Sequence, residues 1–503
     1  MRYTSTRNNN ILISASEAIV SGMDENGGLF IPTDFPRYSY ADLSEMKYLN
    51  YAEKAKKIVK DFLTDFTEEE LNDILNIAYA SDRFDENKVA PIYLEQNGQR
   101  NMYVLELWHG PTSAFKDVAL QLFPYLVEKS INNVYGSDRK CLVLVATSGD
   151  TGKAAMEAFR DVPNTEILVF YPKNGISRMQ EMQMRTQEGS NVKVLAVDGN
   201  FDIAQKSVKS ALTSQIMQQE AKENNVVLTS ANSINLGRLI PQIVYYFSAY
   251  CDLMKSGEID YEGEKVNIVV PSGNFGNILA AYYAKQMGLP VNKLICASNE
   301  NNVLTDFFRT GVYDANREFV KTISPSMDIL ISSNLERLLY HIMNKNSDKV
   351  KSLMDALRIN KKYAVGEDTR KKLSRGFYAG FCDDERILKT IKNMYDTENY
   401  LCDPHTSVAI NVYDQYVKET GDNNTPTIIV STASPYKFSE SVLAALDNDT
   451  STVGEFDAIE ELSAISGIEV PRNITNLRNK SIRFSKVCRP EEINDIINDS
   501  INL

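Results

Sequence analysis

The chain is poor in several residue types that usually announce chemistry. Among 503 residues there are three His and one Trp, and the six Cys are scattered without a Cys-x-x-Cys pair. That spacing argues against a zinc site and against a disulfide scaffold, and it fits a reducing cytoplasm. The histidines (109, 341 and 405) lie far apart, with no His-Glu-x-x-His and no cluster of Cys or acids at ligand spacing, so no metal is expected. Gly-x-Ser-x-Gly is absent, which removes the simplest acyl-transfer reading. No apolar run reaches the ~18 residues that span a bilayer. The stretch from Met1 to Ala15 carries Asn and Ser where a signal peptide needs an apolar core. Basic residues are outnumbered, and the net charge of −13 leaves no basic patch to recruit nucleic acid or an anionic membrane. A cytoplasmic location with neither partner is expected.

What is present is ordinary globular composition, 43% apolar and 24% charged. At about 100–200 residues per domain the length suggests two to four domains. Residues 1 to about 90 read as mostly helical with acidic polar faces, as in "FTEEELNDILNIAYA". The stretch "GGLFIPTDFP" (27–36) reads as a turn-rich link. "APIYLEQNGQRNMYVLELWHG" reads as a β-hairpin around Asn97-Gly98. From residue 140 short apolar strands alternate with helical segments: "CLVLVA", "EILVFYP" (166–172), "VKVLAV" (192–197), "VNIVV" (266–270), "KLICAS" (293–298) and "PTIIVSTASP" (426–435). This rhythm predicts mostly parallel sheets covered on both faces, with ligands at the carboxyl ends of the strands. Polar helical patterning resumes after Pro471.

Three loops at strand ends carry most of the chemical signal. In "PSGNFGN" (271–277), Gly273 and Gly276 allow close backbone approach, and a helix beginning near Asn277 offers free N–H groups. The loop is either a phosphate cradle or a tight strand-to-helix turn. In "TSGDTG" (147–152), hydroxyls and glycines at a helix start suit a carboxylate, or Asp150 or Thr151 serves simply as an N-cap. "NSINLGR" (232–238) offers the planar fork of Arg238 to a phosphate or carboxylate, unless that Arg lies on the surface. A fourth stretch, "WHGPTSAFKD" (108–117), sets Lys116 between Phe115 and Val118 on an otherwise apolar background. Burial disfavours the ammonium form, and a neutral lysine amine is what Schiff-base chemistry requires. A solvated surface lysine is the alternative.

Taken together, these stretches resemble the threonine synthase family, pyridoxal-phosphate enzymes of the fold type II (tryptophan synthase β-like) group. The likeness runs in consistent order over about residues 10–445, through "SEAIVSGMDENGGLFIP", "HGPTSAFKD", "ATSGDTGKAA", "SANSINLGRLIPQ", "PSGNFGN", "SPSMDI", "DPHTSVA" and "STASPYKF". It implies an α/β fold of two open, mostly parallel sheets plus an N-terminal, mainly helical domain. The implied division is 1–98 for the N-terminal domain, 99–139 and 231–460 for a large cofactor-binding domain, 140–230 for a smaller α/β domain, and 461–503 for a C-terminal extension. It implies pyridoxal 5'-phosphate as cofactor, held covalently by Lys116. The cofactor phosphate would lie on Gly273, Asn274, Phe275, Gly276 and Asn277, its phenolic oxygen would face Asp150, and its pyridine nitrogen would meet Thr432. Most of the wider family has Asn at the place of Asp150, and an Asp can act as a donor there only if protonated or otherwise partnered. The chain also departs from the family in having Ser434 where His is common.

The resemblance further implies O-phospho-L-homoserine as substrate and L-threonine as product. The substrate carboxylate would lie on Thr147, Ser148 and Thr151, and its phosphate on Asn232, Ser233 and Arg238. Lys116 would move the protons, in a monomer or homodimer. A phospho-lyase or a serine/threonine dehydratase of the same fold would share Lys116 and the glycine loop but yield a 2-oxo acid. A catalytically idle ligand sensor is a reading of a different class, against which the intact Lys116 and anion cradles argue.

Overall fold

The computed structural model describes residues 1–85, 89–94, 101–147, 149–173, 175–199, 201–259, 262–447 and 454–502. The alternating rhythm read from the sequence builds two sheets. The larger has six strands in the order Phe377–Phe381, Val291–Ser298, Val266–Pro271, Thr427–Ser431, Met102–Glu106 and Ile92–Leu94. Adjacent strands are parallel except the last pair, where Ile92 opposes Leu105 in antiparallel register. The hairpin expected near residue 97 therefore exists as a strand pair, while Asn97 and Gly98 lie outside the described residues. The smaller sheet has five parallel strands in the order Val487–Cys488, Val192–Val197, Thr165–Pro172, Lys140–Ala146 and Val226–Ser230. The central strands of both are buried along nearly their whole length, which is why they read as unbroken apolar runs.

The N-terminal helices start where reciprocal caps allow. Ser14 with Glu17, Ser39 with Asp42, Asn50 with Glu53 and Thr67 with Glu70 each form a capping box. Among them lies a small antiparallel sheet of Tyr3–Ser5, Asn8–Ile13 and Phe30–Pro32. The stretch 27–36 is thus partly a strand and not only a turn-rich link. The C-terminal residues also hold more than polar helix. Val487–Cys488 adds to the small sheet against Ala196 and Val197. Ile493, Ile497 and Ile501 of the last helix pack with Leu142, Leu144, Leu168 and Phe170 on one face of that sheet.

The helix Leu236–Ser256 is buried along most of its length and packs on the short helix Lys116–Leu120. All six cysteines are free and buried. No helix among the described residues is long and apolar enough to cross a membrane. The loops after strands Lys140–Ala146, Val226–Ser230, Val266–Pro271 and Thr427–Ser431 converge, as the rule for open parallel sheets requires.

Candidate active site

Lys116 opens the helix Lys116–Leu120, and the motif around it is built to hold that position. Asp117 is fully buried and accepts from Thr112 N at 2.8 Å and Thr112 Oγ1 at 2.7 Å. A Cβ at Gly110 would come within 2.7 Å of Asp117 Oδ2, so the glycine makes room for this clasp. Burial pushes the Asp117 carboxyl up to about 6 against the opposing hydrogen bonds from Thr112. Ser113 takes a positive φ of 56°. Asn473, from the C-terminal segment, donates to Pro111 O at 2.7 Å and to Ser113 Oγ at 3.0 Å. Trp108 stacks on His109 and donates to Ser431 Oγ at 3.0 Å, while His109 pairs with Glu106 at 2.8 Å. The aromatic residues of the motif thus fasten the loop to the strand that leads to Thr432.

The segment 432–437 closes the other side. Ala114 and Ala433 form an antiparallel bridge, and Phe115 N donates to Thr432 O at 2.9 Å. Thr432 is therefore held one residue from Lys116 along this pairing. The turn Pro435–Phe438 then carries Lys437, whose side chain is fully buried.

Asp150 joins the two lysines. It begins the helix Asp150–Phe159, behind Gly149, whose φ of 136° and contact with Gln180 leave no room for a Cβ. Its Oδ1 lies 2.7 Å from Lys437 Nζ and its Oδ2 lies 3.5 Å from Lys116 Nζ. Gln180 Nε2 donates to Oδ1 at 3.1 Å, and Ser326 Oγ donates to Oδ2 at 3.0 Å. Burial opposes the charge of Asp150, but Lys437, Lys116 and Gln180 together hold the carboxyl well below the usual carboxylate range. The requirement that an Asp here be protonated or partnered is met by partners. For Lys116, burial is the largest effect and lowers the proton affinity of its amine. Asp150 opposes this, whereas the charges of Lys437 and Arg238 add to it.

The remaining loops form anion sites. Phe275, with φ of 63°, precedes the helix Gly276–Gln286. Gly273 packs against the 324–327 turn, where a Cβ would meet Ser326 O at 2.9 Å. Asn274 O accepts from Asn334 N at 3.1 Å and from Asn334 Nδ2 at 3.0 Å. Asn334 Nδ2 also approaches Ser233 Oγ at 3.4 Å, which brings the glycine loop against the "NSINLGR" loop. Asn277 Oδ1 accepts from the hydroxyls of Tyr245 and Tyr246. Asn232 Nδ2 donates to Ala146 O at 3.2 Å, so this loop reaches the end of the neighbouring strand. Arg238 is buried and donates Nη1 to Ala231 O at 2.5 Å. Thr147 Oγ1 accepts from the backbone N–H of Gly149 and Gly152 at 3.0 and 2.9 Å, which commits it to shaping its own loop. Thr151 is half-buried on the first turn of the following helix, and Ser148 lies outside the described residues.

Two buried donors near these loops have no partner within the protein: the Asn277 side-chain amide and Arg238 Nε. An unpaired buried donor costs about 1–3 kcal/mol. Asn277 lies on the first turn of the helix behind the glycine loop and Arg238 on the first turn of Leu236–Ser256, positions where the helix dipole favours an anion. The donor set therefore fits two anionic groups near the largely enclosed Lys116.

Several participants escape the sequence. "SPSMDI" and "DPHTSVA" supply Ser326 and His405, whose Nε2 accepts from Ser326 N at 3.2 Å while Nδ1 pairs with Asp403 at 2.6 Å. His405 therefore holds the turn that delivers Ser326 to Asp150. Lys437 carried a legible signal, a lysine inside the apolar "PYKF", the same signal that marks Lys116. Gln180 and Asn334 carried none.

A largely enclosed lysine at the carboxyl ends of parallel strands, beside anion cradles, fits a pyridoxal-phosphate-dependent enzyme, and the family profile of that description matches residues 89–432. Profiles described as threonine synthase N terminus and threonine synthase, C-terminal match residues 2–79 and 406–497. Threonine synthase of Saccharomyces cerevisiae is 36% identical over 515 residues, covering 98% of each chain. The PLP-bound threonine synthase from Brucella melitensis superposes with a TM-score of 0.85 at 31% identity, covering 100% of both chains. The chain belongs to the threonine synthase family. Human threonine synthase-like 1 is 38% identical over 466 residues, and there the match covers 89% of this chain but 61% of the relative's length.

Proposed function

We propose that the protein converts O-phospho-L-homoserine and water to L-threonine and phosphate, with pyridoxal 5'-phosphate as cofactor. The observation that carries this reading is the Lys116 amine, largely enclosed (13% exposed) 3.5 Å from Asp150 and close enough to Arg238 for that charge to lower its proton affinity. Lys116 would hold the cofactor covalently. Gly273, Asn274, Phe275, Gly276 and Asn277 would hold the cofactor phosphate, with the free Asn277 amide as one donor. Thr432 suits the pyridine nitrogen, because a neutral hydroxyl pairs with it without forcing its protonation. When bound, the cofactor supplies the conjugated system that carries charge left at the substrate Cα.

The residues of the chain do the rest. Arg238, Asn232 and Ser233 would grip the substrate phosphate, and the helix start at Ser148 and Thr151 would take its carboxylate; Thr147, expected there too, instead spends its hydroxyl on the loop itself and its N–H on Phe170 O. That grip sets Cα over the Lys116 amine, which removes the Cα proton as a positioned base. A second proton leaves Cβ as phosphate leaves Cγ, and a proton is then delivered to Cγ, which becomes the methyl group. Water then adds its hydroxyl at Cβ, and Lys116 returns a proton to Cα. The lowered proton affinity of Lys116, which burial causes, suits this shuttle, since its amine gives up a proton more readily than an exposed lysine does. Seating the leaving phosphate on a buried Arg would distinguish the reaction from that of a dehydratase, which has no substrate phosphate to bind.

The test is product identification. Purified protein loaded with pyridoxal phosphate and given O-phosphohomoserine should release threonine and phosphate in equal amounts. Accumulation of 2-oxobutyrate in place of threonine would assign the site to a phospho-lyase.

A further inference from the structure

Lys437 is the second lysine of this site, and the reaction just described does not use it. Its side chain is fully buried and donates to Asp150 Oδ1 at 2.7 Å and to Thr112 O at 3.1 Å. The other oxygen of Asp150 lies 3.5 Å from Lys116 Nζ, so one carboxylate stands between two lysine nitrogens. Gln180 and Ser326 supply two further donors to it. A neutral amide at position 150 would need no counter-charge, but an ionised carboxylate in a buried site does. Lys116 cannot serve as that permanent partner, because a nitrogen that takes and gives protons changes its charge. Lys437, which faces Asp150 and a backbone carbonyl, can.

We propose that Lys437 is a positioning residue: it keeps Asp150 an ionised, fixed carboxylate, and the Asp150–Lys437 pair sets the proton affinity of the Lys116 nitrogen. The pair replaces the neutral side chain that would otherwise stand beside Lys116. The inference rests on the pyridoxal-phosphate reading of the site. It extends that reading to a residue outside the glycine loop and outside the anion cradles. Removal of the Lys437 charge should raise the proton affinity at Lys116, because Asp150 then acts on it unopposed. Removal of the Asp150 charge should lower it. Removal of both should leave a smaller net fall, because Asp150 stands nearer to Lys116 than Lys437 does.

The experiment is a pH titration of the visible absorption band of the holoenzyme in four proteins: the parent, Lys437→Met, Asp150→Asn and the double variant. A unit charge roughly 6–8 Å away, at an effective dielectric constant of about 20, moves a pKa by about one to two units. The Lys437→Met midpoint should rise by about that much, the Asp150→Asn midpoint should fall by more because Asp150 is nearer, and the double variant should lie between the Asp150→Asn protein and the parent. If Lys437→Met does not fold, Lys437→Gln keeps a donor of similar length without the charge and should show the same rise. A midpoint that is the same in all four proteins, or lower in Lys437→Met, overturns the proposal and leaves Lys437 a packing residue. A parent protein with no visible band after loading overturns the cofactor reading and the proposal with it, whereas an unmoved band overturns the proposal alone.

Discussion

Arg238→Met separates a binding role from a structural one, because the two make opposite demands on this side chain. The guanidinium is buried, with Nη1 on Ala231 O and Nε without a partner. Burial lowers its pKa to about 10, with Tyr245 and Asp117 only partly offsetting it. Set against an ordinary Arg value of 12.5, that shift corresponds to a cost of about 3 kcal/mol for keeping the charge in place. The bond to Ala231 O returns about 1.5–3 kcal/mol. Methionine of similar length removes both terms, so the unliganded protein should change in stability by no more than about 1–2 kcal/mol. The loss of a charge-assisted contact to phosphate should cost the substrate complex about 1.5–3 kcal/mol, or roughly 10- to 150-fold in KM. Initial rates from released phosphate, urea denaturation and the visible band of the bound cofactor together decide the matter. KM should rise in that range, with the band and the denaturation midpoint nearly unchanged. An unchanged KM, or a lost band with a large drop in stability, would show that Arg238 serves the fold.

Three further outcomes follow from the same geometry. Lys116→Ala should abolish both the visible band and turnover, as read by absorbance and threonine release; normal turnover in that variant would remove the assignment. Gly110→Ala places a Cβ within 2.7 Å of Asp117 Oδ2 and must displace the clasp on Thr112. Its cost should be about 1–3 kcal/mol, as for other overpacked cores, with weakened cofactor retention on gel filtration; wild-type retention would refute the clasp. Asp117 has a folded pKa of about 6 against an ordinary 3.8. Its contribution to stability is therefore fully present below about pH 4 and lost as the pH rises through 6. Urea denaturation should show a decline of about 3 kcal/mol across that window that Asp117→Asn lacks; equal slopes in the two proteins would contradict the assigned shift.

The parts of the fold legible in the sequence were those with a strong local signal. Runs such as "CLVLVA" and "VNIVV" are apolar because both faces of their strands are covered, and each appears where expected. Val226–Ser230 and Phe377–Phe381 are not legible in the sequence, the first because its run is short and ends in polar residues, the second because Gly380 and three aromatics blur the pattern. The three-residue strands of the N-terminal sheet and the two-residue strand Val487–Cys488 are too short for any periodicity to register. They exist because a distant edge supplies their partners. The same division holds at the site. Lys116, the glycine loop and Arg238 stand in motifs whose chemistry is local. Ser326, His405 and Lys437 acquire their meaning only from the folding that brings them to Asp150, a convergence that single-sequence reasoning does not contain. Asp150 itself was found in the sequence, but its ionised state depends on a lysine 287 positions away in "SPYKF".

Two lysines, the fully buried Lys437 and the largely enclosed Lys116, flank one carboxylate with different tasks, so the point of cofactor attachment is the most direct measurement. Borohydride reduction of the loaded enzyme, followed by peptide mapping, should find the pyridoxyl group on Lys116 and on no other residue. A pyridoxyl group on Lys437, with Lys116 unmodified, would exchange the two roles and contradict the account.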